Sequence, residues 1–152
     1  RRPGPERFPA CFEIMRAAEE AFGVRNCSVE HVQVKVRRYR PPQELYLHVD
    51  SVEMFAQPVL FVFLQCDGPG DGLVLRRRNH TLPEQGEVFR VAEAPGVAVC
   101  LEGPARYEFG HEVPPVTGPR LSLTWRFYHA EYLQPVLDEL ERREGRSSTA
   151  AQ

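Results

Sequence analysis

The stretch RLSLTWR at residues 120–126 alternates polar and apolar side chains without a break. Successive side chains of a β-strand point to opposite faces, so this pattern predicts a strand with one polar and one apolar face. The polar face carries Arg120, Ser122, Thr124 and Arg126, and the apolar face carries Leu121, Leu123 and Trp125. Either the polar face points to solvent, or it lines an interior where both guanidinium groups need anionic partners. In the second case a small dicarboxylate is a suitable partner, because arginine binds carboxylates through paired hydrogen bonds.

Residues 31–39 repeat the alternation. Valines occupy one face, and the other face carries His31, Gln33, Lys35, Arg37 and Tyr39. Two strands of this kind predict a β-barrel with a polar lining and an aliphatic outer face covered by helices.

Short β-rich segments separated by glycine and proline make up most of the chain. The predicted strands are Val32–Tyr39, Glu44–Val49, Val59–Leu64, Leu73–Arg76, Glu87–Val91, Val97–Leu101, Tyr107–Val113 and Arg120–Tyr128. A spacing of about ten residues with turn signals between strands is typical of a sandwich or jelly roll. Amphipathic helices are predicted at Pro9–Phe22 and Tyr132–Arg143. We therefore expect one domain over residues 1–152, mainly β with flanking helices, a core at 29–128 and a frayed tail at 146–152.

Composition narrows the possible classes of protein. The chain has 152 residues and a net charge of −2, so no basic field over the whole surface is expected to attract nucleic acid. The longest apolar run, Pro58–Leu64, is far shorter than the ~20 residues of a membrane helix, and no membrane partner is predicted. The cysteines are scattered and indicate reduced thiols of an intracellular protein, cytoplasmic or nuclear; they are Cys11, Cys27, Cys66 and Cys100. The chain begins without methionine and is expected to be part of a longer protein.

A possible metal site begins with His48-Val49-Asp50. On a strand, residues two apart share a face, so the imidazole and the carboxylate converge. His111 lies in another β-like run and is a candidate third ligand. Two imidazoles and one carboxylate leave three positions of an octahedral ion open, which suits non-haem Fe(II) oxygenases. The alternative interpretation is a chance triplet and an ordinary hydrogen-bonded strand histidine.

Three segments, in the same order along the chain, carry motifs of a known family. They are YRPPQELYLHVD at 39–50, ARYEFGH at 105–111 and the RLSLTWR stretch. The first resembles the Y-x-P-G…L-x-L-H-x-D segment of AlkB-type Fe(II)/2-oxoglutarate dioxygenases. The second resembles the aromatic segment of that family that ends in its distal histidine, and the third resembles its R-x-x-x-x-x-R signature.

This resemblance implies a double-stranded β-helix, the jelly roll of cupin-like proteins, with Fe(II) bound by His48, Asp50 and His111. It implies that 2-oxoglutarate is the cosubstrate and that O2 is consumed, with release of succinate and CO2. An N-methyl carbon of the substrate is hydroxylated, and the product releases formaldehyde. The residues expected at the cosubstrate are Arg120, which pairs with its distal carboxylate, Arg126 near its metal-proximal end, Tyr39, Ser122, Thr124 and Arg37, which replaces a frequent asparagine.

Relatives in this family that repair nucleic acids usually carry a lid, ahead of the first barrel strand, that grips the base. Only about thirty residues precede Val32 here, and most are expected in one helix, so we expect a minimal lid. Such a lid offers little energy to extrude a base from a duplex, so the expected substrate is methylated nucleic acid, either RNA or another single strand. Two clusters of basic residues are candidate phosphate contacts, although a solvated face is the commoner role of such clusters; they contain Arg38, Arg40, Arg76, Arg77 and Arg78. The alternatives are the same chemistry on a protein or lipid substrate and a non-catalytic jelly-roll interaction module.

Overall fold

The computed structural model describes residues 5–24, 32–78 and 86–149. Within these ranges the strands are β1 (Val32–Tyr39), β2 (Leu45–His48), β3 (Phe55–Cys66), β4 (Val74–Arg77), β5 (Val88–Arg90), β6 (Ala98–Leu101), β7 (Phe109–Val113) and β8 (Arg120–Tyr128). The helices are α1 (Pro9–Ala21), α2 (Pro104–Tyr107) and α3 (Ala130–Thr149). His31 and Cys27, and the last three residues of the predicted tail, lie outside the described ranges.

The strands form two antiparallel sheets of four. One sheet has the order β1-β8-β3-β6 and the other has the order β2-β7-β4-β5. The pairs β1–β8, β2–β7, β3–β6 and β4–β5 follow one another inward along the chain, as in a long hairpin that is rolled up into two sheets. This is the jelly-roll topology, so the fold class predicted from the sequence is confirmed.

The two faces of the β1–β8 sheet are divided as the alternation predicts. Trp125 is fully buried on the outer face, and its indole Nε1 donates a 2.8 Å hydrogen bond to Glu19 of α1. Helix α1 covers the aliphatic side chains of this face, and the resulting cluster contains Met15, Ala18, Val32, Leu60, Val62, Leu123 and Trp125. The expectation of an aliphatic outer face under a helix is therefore confirmed for α1.

The polar face of β8 points into the jelly roll. Its side chains are 1 to 8% exposed, and they are Arg120, Ser122, Thr124 and Arg126. The alternative that this face looks toward solvent is wrong. The interior also holds a core of aromatic and aliphatic residues: Tyr39, Val59, Phe61, Phe63, Leu73, Leu101, Val113 and Val116.

Most element boundaries differ from the prediction by one or two residues, and the larger differences are at β3, α2 and the end of α3. Strand β3 is twelve residues long, because its outer ends pair with β8 through two register shifts. Residues 104–107 form helix α2 where a strand was expected to begin, since Pro104 suits the first turn of a helix. Helix α3 continues to Thr149, beyond Arg143 and into the tail expected to fray, because one glycine, at 145, costs only about 1 kcal/mol in a helix. No helix among the described residues is long and apolar enough to span a membrane.

Candidate active site

Two histidines face each other across the β2–β7 ladder. His48 ends β2 and pairs in register with His111 of β7, and their ring centroids are 4.3 Å apart. Asp50 follows β2 and returns to the same face. Ligand atoms of His48, Asp50 and His111 all lie within 4.8 Å of one another.

The hydrogen bond of His48 selects one tautomer. Its Nδ1 lies 2.8 Å from the carbonyl oxygen of Tyr46, which can only accept, so Nδ1 carries the proton. The lone pair is then on Nε2, and this atom lies 3.9 Å from Oδ1 of Asp50. His48 therefore presents an unprotonated nitrogen to the other two residues, as a metal-binding histidine does.

His111 is buried, and its ring meets the Phe61 ring edge-on with 5.6 Å between centroids. Burial lowers the pKa of His111 to about 4, although the Asp50 carboxylate acts in the opposite direction. The neighbouring His48 and Arg126 add to the lowering. At neutral pH the His111 imidazole is therefore uncharged, with a lone pair free for a metal ion.

Asp50 is a buried carboxylate that its surroundings leave incompletely satisfied. Burial acts to raise its pKa, but Arg126 and the two imidazoles outweigh burial and hold the pKa below the ordinary value, so the group is ionised. Arg126 Nε is 2.7 Å from Oδ2 of Asp50, yet the N–H direction does not meet hydrogen-bond geometry, and Oδ2 has no hydrogen-bond partner. A buried anionic oxygen without a donor, beside two imidazoles, is chemically suited to a divalent cation.

Helix α2 supports the segment that carries Asp50. The guanidinium of Arg106 is buried and donates to the carbonyl oxygens of Asp50, Ser51 and Phe55 at 3.0, 3.1 and 3.0 Å. These bonds hold the turn after β2 in place. The sequence does not identify Arg106 as part of the site, because its partners are main-chain carbonyls about 50 residues away that no motif displays.

The histidines and Asp50 open onto a cavity of about 150 Å³ inside the jelly roll. All nine residues predicted as metal or cosubstrate ligands line it: Arg37, Tyr39, His48, Asp50, His111, Arg120, Ser122, Thr124 and Arg126. Lys35 adds a further cation, and Phe61, Leu73 and Val113 form an apolar wall. Positive charge therefore dominates a cavity large enough for a small organic anion.

The deep arginine of the cavity has an internal partner that the sequence does not reveal. Arg120 donates from Nε and Nη2 to the two carboxylate oxygens of Glu93, both at 2.7 Å, and the two side chains are 2% and 0% exposed. Glu93 also accepts the backbone N–H of Leu73 at 2.7 Å. The rings of Tyr39 and Phe63 lie against the Arg120 guanidinium. Glu93 lies in an irregular segment between β5 and β6, 27 residues from Arg120, where nothing in the local pattern marks its side chain as buried.

The predicted phosphate contacts separate into two groups. Arg76 pairs with Glu112, and Arg77 pairs with Glu87 and Glu108 at 3.0 and 2.8 Å, so both charges are neutralised within the protein. The others are exposed and have no ion-pair partner among the described residues; they are Arg38, Arg40 and Arg78. Arg78 lies in a second, open groove of about 460 Å³ that His48 and Asp50 also line.

Comparison with known proteins identifies no family. No protein-family model and no curated protein matches the chain. Among solved structures, a Pseudomonas putida prolyl-4-hydroxylase is 24% identical with a TM-score of 0.48; the match covers 65% of this chain and 52% of that one. A Bordetella pertussis cupin domain is 16% identical over 69% of this chain and 88% of that one, with a TM-score of 0.41.

A sugar phosphate isomerase of the cupin superfamily from Silicibacter pomeroyi is 18% identical, with a TM-score of 0.35, over 72% of this chain and 55% of that one. The chain spans about half the length of the hydroxylase it matches. At these levels of similarity the solved structures carry no evidence about the activity of this chain.

Proposed function

We propose that this chain is an Fe(II)- and 2-oxoglutarate-dependent dioxygenase. The observation that carries the proposal is the His48–Asp50–His111 cluster at the wall of a cavity lined by four cations. Two imidazoles and one carboxylate form the facial set of non-haem Fe(II) oxygenases, and three positions remain open on the ion. A cavity of about 150 Å³ beside these positions suits a five-carbon diacid.

Each group of the site has a separate task in this reaction. An iron ion held by His48, Asp50 and His111 would supply the activation of O2, in which one oxygen atom would go to succinate as 2-oxoglutarate loses CO2 and the other to a C–H bond of the substrate. Arg106 holds the turn that carries Asp50, and Arg126 keeps that carboxylate ionised. The apolar wall, which includes Phe61 and Val113, excludes water from the reacting atoms.

We further propose that the substrate is an N-methylated base in a single-stranded nucleic acid. Hydroxylation of the N-methyl carbon gives an N–CH2OH group, and loss of formaldehyde restores N–H. The open groove lies beside His48 and Asp50 on the outer side of the site, and Arg78 in this groove has no carboxylate partner among the described residues to compete with a phosphate. A single strand presents its bases without the cost of extrusion from a duplex.

A protein or lipid substrate is the second candidate, and a specific observation favours it. Arg76 and Arg77 belong to the longest uninterrupted run of basic residues in the sequence, yet glutamates neutralise both. A chain with a net charge of −2 has no overall positive field to attract a polyanion.

Product analysis distinguishes these candidates. The protein is incubated with Fe(II), 2-oxoglutarate and O2, together with N-methylated single-stranded oligonucleotides, an N-methyl-lysine peptide or a fatty acid, and succinate and formaldehyde are measured. We expect both products in a 1:1 ratio with an oligonucleotide. His48→Ala should abolish turnover, whereas His129→Ala, which removes a histidine outside the cavity, should retain it. Turnover with the peptide or the fatty acid but not with an oligonucleotide would contradict the proposed nucleic-acid substrate. If no succinate forms with any of these substrates, the dioxygenase proposal is overturned.

A further inference from the structure

The cavity contains more positive than negative charge, and the cations that pair with no carboxylate of the described residues are on a single strand, β1. The two buried arginines of β8 each contact a buried carboxylate: Arg120 contacts Glu93, and Arg126 contacts Asp50. Each of these pairs is neutral overall, so neither guanidinium offers an uncompensated charge to an incoming anion.

The remaining cations of the cavity, Lys35 and Arg37, are on β1. This strand is at the edge of its sheet, and in register Lys35 lies opposite Thr124 while Arg37 lies opposite Ser122, both uncharged. Neither cation has an ion-pair partner among the described residues. They therefore leave two positive charges uncompensated at the exposed side of the cavity.

The surroundings of these two side chains show a positive field. Burial lowers the pKa of Lys35, and the nearby Arg126 and Arg37 lower it further, although the Asp50 carboxylate acts in the opposite direction. Arg37 is 3.5 Å from the hydroxyl of Tyr39, whose ring also lies against Arg120. A bound anion would relieve this repulsion without disturbing either internal ion pair.

On the premise of the proposed function, we infer that Lys35 and Arg37, rather than Arg120, supply the charges that select a dianionic cosubstrate. Their register positions on β1 place each cation near a different carboxylate of the ligand. Arg37, toward Arg120 and Tyr39, binds the carboxylate remote from the metal site. Lys35, toward Arg126 and Asp50, binds the carboxylate next to it. Arg120, held by Glu93, forms a rigid wall that donates its remaining N–H groups.

Calorimetric binding under anaerobic conditions with Fe(II) tests this inference without turnover. The ligands are 2-oxoglutarate, which has two carboxylates, and 2-oxobutyrate, which has only the one beside the oxo group. Arg37→Gln should weaken 2-oxoglutarate about tenfold and leave 2-oxobutyrate nearly unchanged. Lys35→Gln should weaken both. Arg38→Gln, one residue along β1 on the opposite face, is the matched control and should change neither.

The outcomes separate the inference from the proposal beneath it. If the wild-type protein binds 2-oxoglutarate and the Arg37 and Lys35 variants bind it equally well, these two cations do not recognise the carboxylates of the ligand. The inference is then overturned. If wild-type protein with Fe(II) binds neither ligand, the dioxygenase proposal itself fails. The melting temperature of each variant without ligand shows whether lost binding reflects lost folding.

Discussion

Two arginine–carboxylate pairs lie on the same strand face, six residues apart, and they differ in how fully they are satisfied. Arg120 donates two 2.7 Å hydrogen bonds to Glu93, and Glu93 accepts a third from the backbone N–H of Leu73. Arg126 and Asp50 also approach to 2.7 Å, but Oδ2 of Asp50 and Nε of Arg126 lack hydrogen-bond partners. The first pair is complete without a ligand, whereas the second leaves an acceptor for one. Both pairs consist of a buried arginine and a buried carboxylate, so residue type and burial do not distinguish them. Their hydrogen bonds do distinguish the pair that is complete from the pair that can still bind a ligand.

The largest expected effect breaks the complete pair. Glu93→Ala leaves the buried Arg120 charge without its carboxylate, and we expect the free energy of unfolding to fall by about 3–5 kcal/mol. Urea unfolding followed by circular dichroism measures this change. Glu108→Ala removes the exposed partner of Arg77 and is the control, for which we expect little change. Equal stability of the two variants would contradict a structural role for Glu93.

The incomplete pair should respond to a metal ion instead. With a divalent cation at one hundred times its Kd, wild-type protein should gain about 2.7 kcal/mol of stability, because the ion binds only the folded state. Asp50→Asn should lose this gain, and Asp71→Asn, a carboxylate outside the cavity, should keep it. The melting temperature with and without Fe(II) under anaerobic conditions is the measurement. A gain that persists in Asp50→Asn would place the ion elsewhere.

Arg106 links the incomplete pair to the backbone, and its substitution should have an intermediate effect. Arg106→Lys keeps the charge but cannot reach three carbonyl oxygens, so the turn that carries Asp50 should loosen. We expect Fe(II) affinity to fall about tenfold, as for other residues that orient metal ligands. Arg90→Lys on the exposed strand β5 is the control. Unchanged affinity in Arg106→Lys, measured by anaerobic equilibrium dialysis, would show that the turn needs no such support.

Substitution of a third carboxylate, Asp71, should have the smallest effect on stability. Asp71 accepts hydrogen bonds but forms no pair with a described arginine, so it can be compared with both pairs. Burial acts to raise the pKa of Asp71, but N–H groups of Gly118 and Thr117 and the Thr117 hydroxyl outweigh it and hold the pKa below its ordinary value. A carboxyl whose folded pKa is lowered stabilises the protein above its unfolded pKa and loses that contribution as pH falls through the folded value. Asp71→Asn should therefore lower stability at pH 7 and lessen the loss below about pH 4. Parallel pH profiles for wild type and variant would contradict this.

Much of the fold could be predicted from local patterns, because a half-buried strand must alternate and a turn needs glycine or proline. Strands β1 and β8 have the bounds predicted for them, and each of the eight described strands overlaps a predicted strand. The cluster of His48, Asp50 and His111 could be anticipated because the first two share a strand face. Glu93 and Arg106 could not, since their partners are distant in sequence and partly main-chain atoms. The pairing of Arg76 and Arg77 with glutamates depends on strand register, which no local pattern contains.

The most direct test of the account is an anaerobic titration with Fe(II) and then 2-oxoglutarate, followed by visible absorption. An iron ion held by His48, Asp50 and His111 with the 2-oxo acid bound beside it should give a weak charge-transfer band that saturates at one equivalent of iron. The band should require both additions and be absent in Asp50→Asn. A wild-type protein that is folded yet develops no band, or a band that survives in Asp50→Asn, would contradict the assignment of this cluster as the iron site.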